Sequence, residues 1–319
     1  MCKFSIIVPC YNIAQLVSNM FSMLHTDDYK DYEVIFVDDC SKDESYNKMC
    51  QSKNGYENYH VYQTPKNGGP GPARNLGMEK ATGEYIIFCD SDDIFDISCL
   101  KHINEFIDTH PDADFVVSPH IVVRGKKESI YDSYSKYGNG TVLNNTTVAI
   151  GHCGPFAKVY KTSTIKDNDM HFLPRMTGED VCFVLSYTLK AKKIYKLDLI
   201  YYKYIMNSSS ITHNHREKLD LPTTFEVLKP VYEEYFQEIV VYKFIEGHLM
   251  TKAKQMTDNK CKNREIKEWF RKAKEQYPDW YKYTLNMNRS LYRRLLYTAM
   301  NKCNPVMIKL VMWARKILY

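Results

Sequence analysis

The stretch that decides the fold runs from Tyr85 to Asp96 and reads YIIFCDSDDIFD. It begins with a continuous apolar run, which is typical of a strand buried on both faces. It then places carboxylates at Asp90, Asp92 and Asp93. Because like charges this close repel one another, a positive group should offset them. A metal ion, a basic side chain and solvent are the three possibilities, and the pattern alone leaves them open.

The alternation of apolar runs with helical patterns extends over the first half of the chain. Predicted strands lie at KFSIIVPCYN, YEVIFVDDCSKD, YHVYQTP, EYIIFCDSDD and DFVVSPHIVV, and predicted helices at AQLVSNMFSMLH, ESYNKMCQSK, GPARNLGMEKA and ISCLKHINEFIDTH. This order predicts an α/β fold, Rossmann-like, with a mostly parallel sheet and helices on both faces. From Glu217 onward the pattern is mainly helical. We therefore expect a first domain at residues 1–215 and a helical C-terminal region at residues 216–319.

The loops that follow the predicted strands should lie together. Right-handed crossovers place them along one edge of a parallel sheet, and ligands bind outside the carboxyl ends of such strands. We therefore expect a common rim formed by residues 9–12, 38–39, 66–77 and 90–93.

Two of these segments are acidic, and each has an ordinary structural explanation as well as a functional one. Asp90 and Asp92 could hold Mg²⁺ or Mn²⁺, or they could cap a helix predicted to begin near Ile97. Asp38 and Asp39 could accept hydrogen bonds from a nucleobase or a ribose, or they could belong to a solvated turn. Neither segment decides the matter alone.

Two further segments add a basic loop and a second pair of acids. KNGGPGPARNLG, residues 66–77, offers backbone N–H groups and the Arg74 charge to an anion, or it is a loop with a glycine-assisted helix start. It is neither a P-loop nor the GxGxxG fingerprint. In RMTGEDVCF, Glu179 and Asp180 could include a general base, or they could simply be favourable charges at a helix start.

Composition and cysteine use exclude several classes of protein. The chain is 44% hydrophobic and 25% charged, which is typical of a soluble globular protein. Its ten cysteines include no CxxC pair, so we expect reduced thiols and no structural zinc site. The first apolar run starts near residue 3, so no signal peptide is expected. No apolar run reaches the roughly 18 to 20 residues that span a bilayer.

The basic character of the chain is concentrated at its C-terminus. No acidic residue follows Asp279, whereas residues 280–319 carry eight lysines and arginines. Apolar residues recur there at helical spacing, and Trp313 fits an interfacial anchor. This pattern predicts a peripheral contact with an anionic membrane. The alternative is a pair of helices packed on the catalytic domain or on a partner subunit. Nucleic acid is not an expected partner.

Over roughly residues 3 to 215, the chain resembles the family 2 glycosyltransferases with the GT-A fold. The resemblance is carried by five segments in this order: SIIVPCYN, VDDCSKD, NGGPGPARNLG, FCDSDD and GED. The resemblance implies an inverting, metal-dependent transfer of a sugar from a nucleotide-sugar donor, expected to be UDP-linked. The acceptor would be a hydroxyl of a bacterial surface glycan, of capsule, lipopolysaccharide or teichoic-acid type, or a lipid-linked molecule. Such an enzyme would be cytoplasmic and peripheral on the inner face of the cytoplasmic membrane.

The resemblance also implies roles for individual residues. Asp180 would be the catalytic base, and Glu179 would contact the acceptor. Mn²⁺ or Mg²⁺ would be held by Asp92 and Asp90, with His213 as a further ligand and His215 as its alternative. Asp39 would read uracil if the donor is UDP-linked. The nucleotide-sugar site as a whole would comprise Pro9, Tyr11, Asn12, Asp38, Asp39, Asn67, Gly69, Arg74, Asp90 and Ser91.

Two other functions are compatible with the same sheet. A sugar-phosphate nucleotidyltransferase would need a glycine-rich phosphate loop after the first strand, and PCYNIAQ is not one. A non-catalytic glycan-binding scaffold would not need Asp90, Asp92 and Asp180 together, and all three are present.

Overall fold

In the computed structural model the chain forms two compact units, Met1–Asn214 and His215–Tyr319. The structure describes residues 2–149, 151–174, 179–206, 249–250, 252–254, 256–276 and 291–318.

The first unit alternates strands and helices as far as its fourth strand, as the sequence predicts. Its described elements are, in chain order, β1 (Phe4–Cys10), α1 (Val17–Met23), β2 (Tyr32–Asp38), α2 (Ser45–Ser52), β3 (Tyr59–Gln63), α3 (Pro70–Lys80), β4 (Tyr85–Phe88), β5 (Ile94–Phe95), α4 (Leu100–Thr109), β6 (Phe115–Val117), β7 (His120–Arg124), β8 (Lys127–Tyr131), β9 (Val142–Leu143), α5 (Asn145–Ala149), β10 (Lys158–Lys161), α6 (Thr162–Asp167), α7 (Glu179–Lys190), β11 (Ile194–Lys196) and β12 (Tyr202–Ile205).

The larger sheet is mostly parallel, which confirms the expected fold class. Within the described residues its strand order is β3-β2-β1-β4-β10-β6-β11-β9. Strands β1 to β4 pair in parallel, β10 is antiparallel to both β4 and β6, and β11 is parallel to β6. Both faces are buried, since Ile6 and Ile7 of β1 belong to different apolar clusters. This two-sided burial explains the continuous apolar runs in the sequence.

A smaller sheet, of order β5-β12-β7-β8, lies beside the acid-rich turn after β4. The stretch DFVVSPHIVV, expected to be one strand, is in fact split between β6 in the larger sheet and β7 in the smaller one. Ser118 and Pro119 lie at the break. A proline has no N–H to donate to a ladder, so the chain leaves the first sheet there.

The described part of the second unit is helical, with α8 (Asn263–Gln276), α9 (Leu291–Asn301) and α10 (Pro305–Leu318). Ile308 and Met312 of α10 are buried in its apolar core. Three other large side chains of the same helix, Val306, Leu310 and Trp313, are 54%, 59% and 61% exposed. They recur at helical spacing and form what we call the exposed stripe. Among the described residues, no helix combines the length and apolar character needed to cross a bilayer.

Candidate functional site

The carboxyl ends of β1, β2 and β4 meet at one edge of the larger sheet. Cys10 is in register with Asp38, and the Asp39 N–H donates to the Cys10 carbonyl at 2.8 Å. Strand β4 ends at Phe88, two residues before Asp90. The loops that follow these parallel strands therefore share one rim, where ligands bind in sheets of this kind.

The loops after β1 and β2 are joined through Asn12. This residue has a φ of 53°, in the left-handed region that asparagine tolerates better than most residues. Its N–H donates to Ser41 Oγ at 2.8 Å, and its Oδ1 accepts the Lys42 N–H at 2.9 Å. Pro9 is buried within β1, whereas Tyr11 is exposed beside this joint. The Tyr11 ring is thus placed where it can stack on a flat ligand group.

The carboxylate of Asp39 shapes the glycine-rich loop. It is buried, and it accepts hydrogen bonds from the N–H groups of Gly68 (3.0 Å) and Gly69 (2.7 Å) and from Thr64 Oγ1 (2.9 Å). Asn67 Nδ2 donates to the Asp39 carbonyl at 3.1 Å. Gly69 has a φ of 87°, which a residue with a side chain rarely adopts. Asp39 therefore fixes the loop that precedes α3.

Asp38 has one engaged carboxylate oxygen and one that is not. Oδ2 accepts hydrogen bonds from the Ser41 N–H and from Gln63 Nε2, both at 2.9 Å. Oδ1 is buried and makes no hydrogen bond within the described part of the chain. A buried oxygen without a partner destabilises a protein by about 1–3 kcal/mol, so a ligand N–H or hydroxyl that reached Oδ1 would be bound favourably.

The acids after β4 are neutralised in different ways. Asp90 Oδ1 lies 2.6 Å from Arg74 Nη2. Asp93 is buried and accepts hydrogen bonds from the Tyr202 hydroxyl (2.5 Å) and the Ile205 N–H (2.7 Å). Burial, followed by the charge of Asp90, raises the pKa of Asp93 to about 8. Asp93 thus carries a proton at neutral pH and ties the turn after β4 to β12, while Asp90 is paired with a cation.

The remaining acid of the turn, Asp92, is exposed, and Ser91 before it is half-buried. The sequence left open a capping role for this turn. In the structure the cap is Asp96, whose carboxylate accepts the Ser98 N–H at 3.2 Å and Ser98 Oγ at 2.6 Å. Capping of the following helical turn therefore does not explain why Asp90 and Asp92 are there.

The second pair of acids opens helix α7. Glu179 and Asp180 form its first turn, and both are half-buried. Burial and then the charge of Asp180 raise the pKa of Glu179 to about 7. Burial also raises the pKa of Asp180, against the opposing effect of the Arg74 charge. A carboxylate with a raised pKa is suited to removing a proton from a hydroxyl near neutral pH.

Arg74 links the two pairs of acids electrostatically. Its side chain is 5% exposed, and its guanidinium lies 5.2 Å from the ring centroid of Phe172. Burial opposes its charge, but Asp90 and then Asp180 and Glu179 outweigh burial and raise the pKa of Arg74. Its Nε and Nη1 make no hydrogen bond to any residue that the structure describes. The site thus contains a fixed cation with two unused donors.

A divalent cation is compatible with the donor set at this rim. In the described ranges no three His, Cys, Asp or Glu side chains come together as a ready metal site. Mg²⁺, however, commonly uses one or two protein carboxylates plus substrate phosphates, and Asp92 with Asp90 could supply them. The expected ligand His213 and its alternative His215 lie within residues 207–248, outside the described residues.

Sequence reasoning missed the residues that support these acids. Tyr202 lies 109 positions after Asp93, and Phe172 lies 97 positions after Asn75, to which it is hydrogen-bonded. Contacts over such separations leave no local pattern. The one available signal was Asn75, a polar residue next to Arg74 on a helix expected to pack against the sheet.

Comparisons with known proteins agree with this arrangement. Residues 5–167 match the family model described as Glycosyl transferase family 2. The chain is 29% identical over 281 residues to the poly(ribitol-phosphate) beta-N-acetylglucosaminyltransferase TarS of Staphylococcus aureus (strain Mu50), a match covering 84% of this chain and 48% of TarS. It is 36% identical over 197 residues to the poly(ribitol-phosphate) beta-glucosyltransferase of Bacillus spizizenii, covering 60% of this chain and 30% of that protein. The chain thus spans half or less of the length of these relatives.

The fold is also similar to a solved structure. The crystal structure of S. aureus TarS 1-349 in complex with UDP-GlcNAc matches with a TM-score of 0.77 at 24% identity, covering 99% of this chain and 92% of that one. This likeness establishes the fold, which is the GT-A fold expected from the sequence.

Proposed function

Because the chain belongs to glycosyl transferase family 2, we propose that it transfers a sugar from a UDP-linked donor to a hydroxyl of a teichoic-acid polymer, with inversion at the sugar. The donor is suggested by the TarS structure, which holds UDP-GlcNAc. The polymer is suggested by the names of the two relatives, both of which specify poly(ribitol-phosphate). The sugar is N-acetylglucosamine or glucose, since one relative is named for each.

The observation that carries the proposal is the position of Arg74. It pairs with Asp90 at 2.6 Å, and its charge also acts on Asp180 and Glu179. A single displacement needs the leaving-group site and the base to be close together. In the proposed reaction Asp180 accepts the proton of the acceptor hydroxyl, and Glu179, whose pKa is about 7, holds that hydroxyl. The Tyr11 ring and the free oxygen of Asp38 would contact the nucleoside.

We assign a divalent cation, Mn²⁺ or Mg²⁺, to Asp92 and Asp90, with His213 as a further ligand. The chemistry that such an ion supplies when bound is stabilisation of charge on the departing nucleoside diphosphate. Arg74 would share this task through its two unused nitrogens, Nε and Nη1, because a buried guanidinium is well suited to binding phosphate oxygens.

The test is a transfer assay with a defined acceptor. The protein is incubated with poly(ribitol phosphate) and either UDP-GlcNAc or UDP-glucose, with Mn²⁺, Mg²⁺ or EDTA, and both UDP release and the mass of the polymer are measured. The proposal predicts one UDP for each sugar added, and loss of activity in EDTA. Formation of UTP and a sugar 1-phosphate in a parallel incubation with added pyrophosphate would instead favour a nucleotidyltransferase, and donor binding without turnover would favour a glycan-binding scaffold.

The place of the reaction is a further part of the proposal. The exposed stripe Val306, Leu310 and Trp313 lies in a C-terminal region without acidic residues after Asp279. An apolar stripe among basic residues favours an anionic membrane surface. We place the enzyme on the cytoplasmic face of the membrane, where a lipid-linked polymer would be within reach.

A further inference from the structure

The helix α3 is hydrogen-bonded to the segment that leads toward α7. Asn75 Nδ2 donates to the Phe172 carbonyl at 2.8 Å, and Asn75 Oδ1 accepts the Phe172 N–H at 2.7 Å. One side-chain amide thus satisfies both backbone groups of a residue 97 positions away. Such a reciprocal pair fixes both distance and orientation, which a single hydrogen bond does not.

Gly71, four residues before Asn75 and on the same face of α3, allows the close approach. A Cβ at this position would lie 2.6 Å from the Leu173 carbonyl oxygen and 3.5 Å from Glu179 Cγ. No residue with a side chain fits at 2.6 Å from a backbone oxygen without movement of the chain. The first turn of α3 therefore lies directly against Glu179, one of the two acids at the start of α7.

The Phe172 ring packs between the elements that carry the two pairs of acids. Its ring stacks on Phe183 of α7 with a centroid distance of 3.9 Å and an interplanar angle of 11°, and it meets Phe88 of β4 edge-on at 5.2 Å. Phe183 is one helical turn after Glu179, and Phe88 is two residues before Asp90. The three buried rings thus connect α7, which begins with Glu179 and Asp180, to β4, which leads into Asp90.

We propose that Asn75 is a positioning residue for the base, setting the position of Asp180 relative to Asp90 through its paired hydrogen bonds to Phe172. The inference rests on the proposed function, in which Asp180 removes the acceptor proton and Asp90 belongs to the donor site. Misplacement of reacting groups by about 1 Å can lower a rate about 10²-fold. The Asn75 amide is engaged by the Phe172 backbone and not by a residue of the proposed donor site, so its loss should alter turnover rather than donor affinity.

Asn145 offers a matched control at the other end of the same helix. Its Nδ2 donates to the carbonyls of Thr188 (2.5 Å) and Ala191 (3.3 Å), beside the C-terminus of α7. Asn75→Ala and Asn145→Ala therefore each remove an asparagine that fixes backbone near α7, but only Asn75 acts at the end that carries the base. Asn75→Gln is a milder variant, because it keeps both the donor and the acceptor and displaces them by one methylene group.

The experiment measures kcat for transfer, the Kd of UDP, the melting temperature and amide hydrogen exchange. We expect Asn75→Ala to lower kcat at least about tenfold with the UDP Kd within about twofold, and Asn75→Gln to lie between it and the wild type. Asn145→Ala should lower the melting temperature similarly and leave kcat near the wild-type value. Exchange of the Phe172 and Phe183 amides should accelerate only in the Asn75 variants.

Several outcomes would overturn the inference. One is an unchanged kcat in Asn75→Ala, and another is an equal kcat loss in Asn145→Ala. A parallel loss of UDP affinity would mean that α3 acts on the donor instead. If Asn75→Ala does not fold, Asn75→Gln decides by the same criteria. A wild-type protein without transfer activity would contradict the proposed function, and the exchange data would then decide separately whether Asn75 holds Phe172 and α7.

Discussion

Arg74 is the residue whose charge reaches both halves of the candidate site. Because the guanidinium lowers the pKa of Asp180 against the effect of burial, removing it should raise that pKa further. In Arg74→Gln the acid limb of the kcat–pH profile, measured at saturating donor, should therefore move to higher pH. Arg271→Gln, which changes an exposed arginine of α8 paired with Glu275, is the control and should leave the profile in place. An unshifted acid limb in Arg74→Gln would show that Arg74 does not act on the base.

Asp92 is the exposed acid of the turn after β4, and Asp96 four residues later provides a matched carboxylate. Loss of a metal ligand should weaken metal-dependent donor binding at least about tenfold. We expect Asp92→Asn to raise the UDP Kd in Mn²⁺ by that factor and to change it little in EDTA. Asp96→Asn should instead reduce stability by about 2 kcal/mol or less, as loss of a cap does. Titration calorimetry with and without Mn²⁺ checks the first variant, and scanning calorimetry checks the second. Equal metal dependence in Asp92→Asn and the wild type would remove Asp92 from the proposed site.

At the scale of elements, the contact between β12 and the turn after β4 depends on a protonated carboxyl. Asp93 has an ordinary pKa near 4 in the unfolded chain and a pKa of about 8 when folded. Its contribution to stability is fully present below the unfolded pKa and is lost as pH rises through the folded one. The melting temperature should therefore fall between about pH 4 and 8, and it should fall less steeply in Asp93→Asn. Identical slopes in scanning calorimetry would refute a neutral Asp93.

The helix α10 packs with one face in its own unit and exposes another. Ile308 and Met312 pack in the core of the second unit, whereas Val306, Leu310 and Trp313 are exposed. Truncation would therefore destroy a packed core, and substitution within the exposed stripe is the sharper test.

Replacing Val306, Leu310 and Trp313 with serine should release the protein from anionic vesicles. Burial of each side chain is worth about 1.5 kcal/mol or more, so vesicle affinity should fall by tenfold or more while the melting temperature stays nearly constant. Ile308→Ser is the control, and it should lower the melting temperature. Unchanged co-sedimentation would end the membrane proposal, and loss of self-association instead would favour a partner subunit as the occupant of the stripe.

At the scale of the whole molecule, the sequence predicted the features that follow from the order of strands and helices along the chain. Asp38 and Asp90 could be placed at one edge because parallel strands end on the same side of a sheet. The sequence could not predict that Asp93 is buried and hydrogen-bonded while Asp90 pairs with a cation. The Tyr202 hydroxyl that donates to Asp93 comes from 109 residues away. The break at Pro119 was visible in the sequence as a proline within an apolar run. The expected ligand His213 stays a prediction.

The arrangement of the first unit suggests a division of labour between its two sheets. The larger sheet presents the loops for a nucleotide and the strand that carries Asp90, while the smaller sheet secures the acid-rich turn through Tyr202 and Ile205. Helix α3 contacts both the turn after β4, through the Arg74–Asp90 ion pair, and the segment before α7, through the hydrogen bonds between Asn75 and Phe172. In the proposed reaction such a site would bind the donor with one set of residues and remove the acceptor proton with another, so the two functions should be separable by mutation.

The most direct test of that claim compares Asp180→Asn with the wild type in two assays on the same preparations. The assays are transfer from UDP-GlcNAc or UDP-glucose to poly(ribitol phosphate), and UDP affinity by calorimetry. We predict that Asp180→Asn loses transfer by about 10²-fold or more, the scale of losing a general base, while binding UDP as tightly as the wild type. Near-normal transfer by Asp180→Asn, with Glu179→Gln inactive, would assign the base to Glu179. Near-normal transfer by both variants would contradict the account.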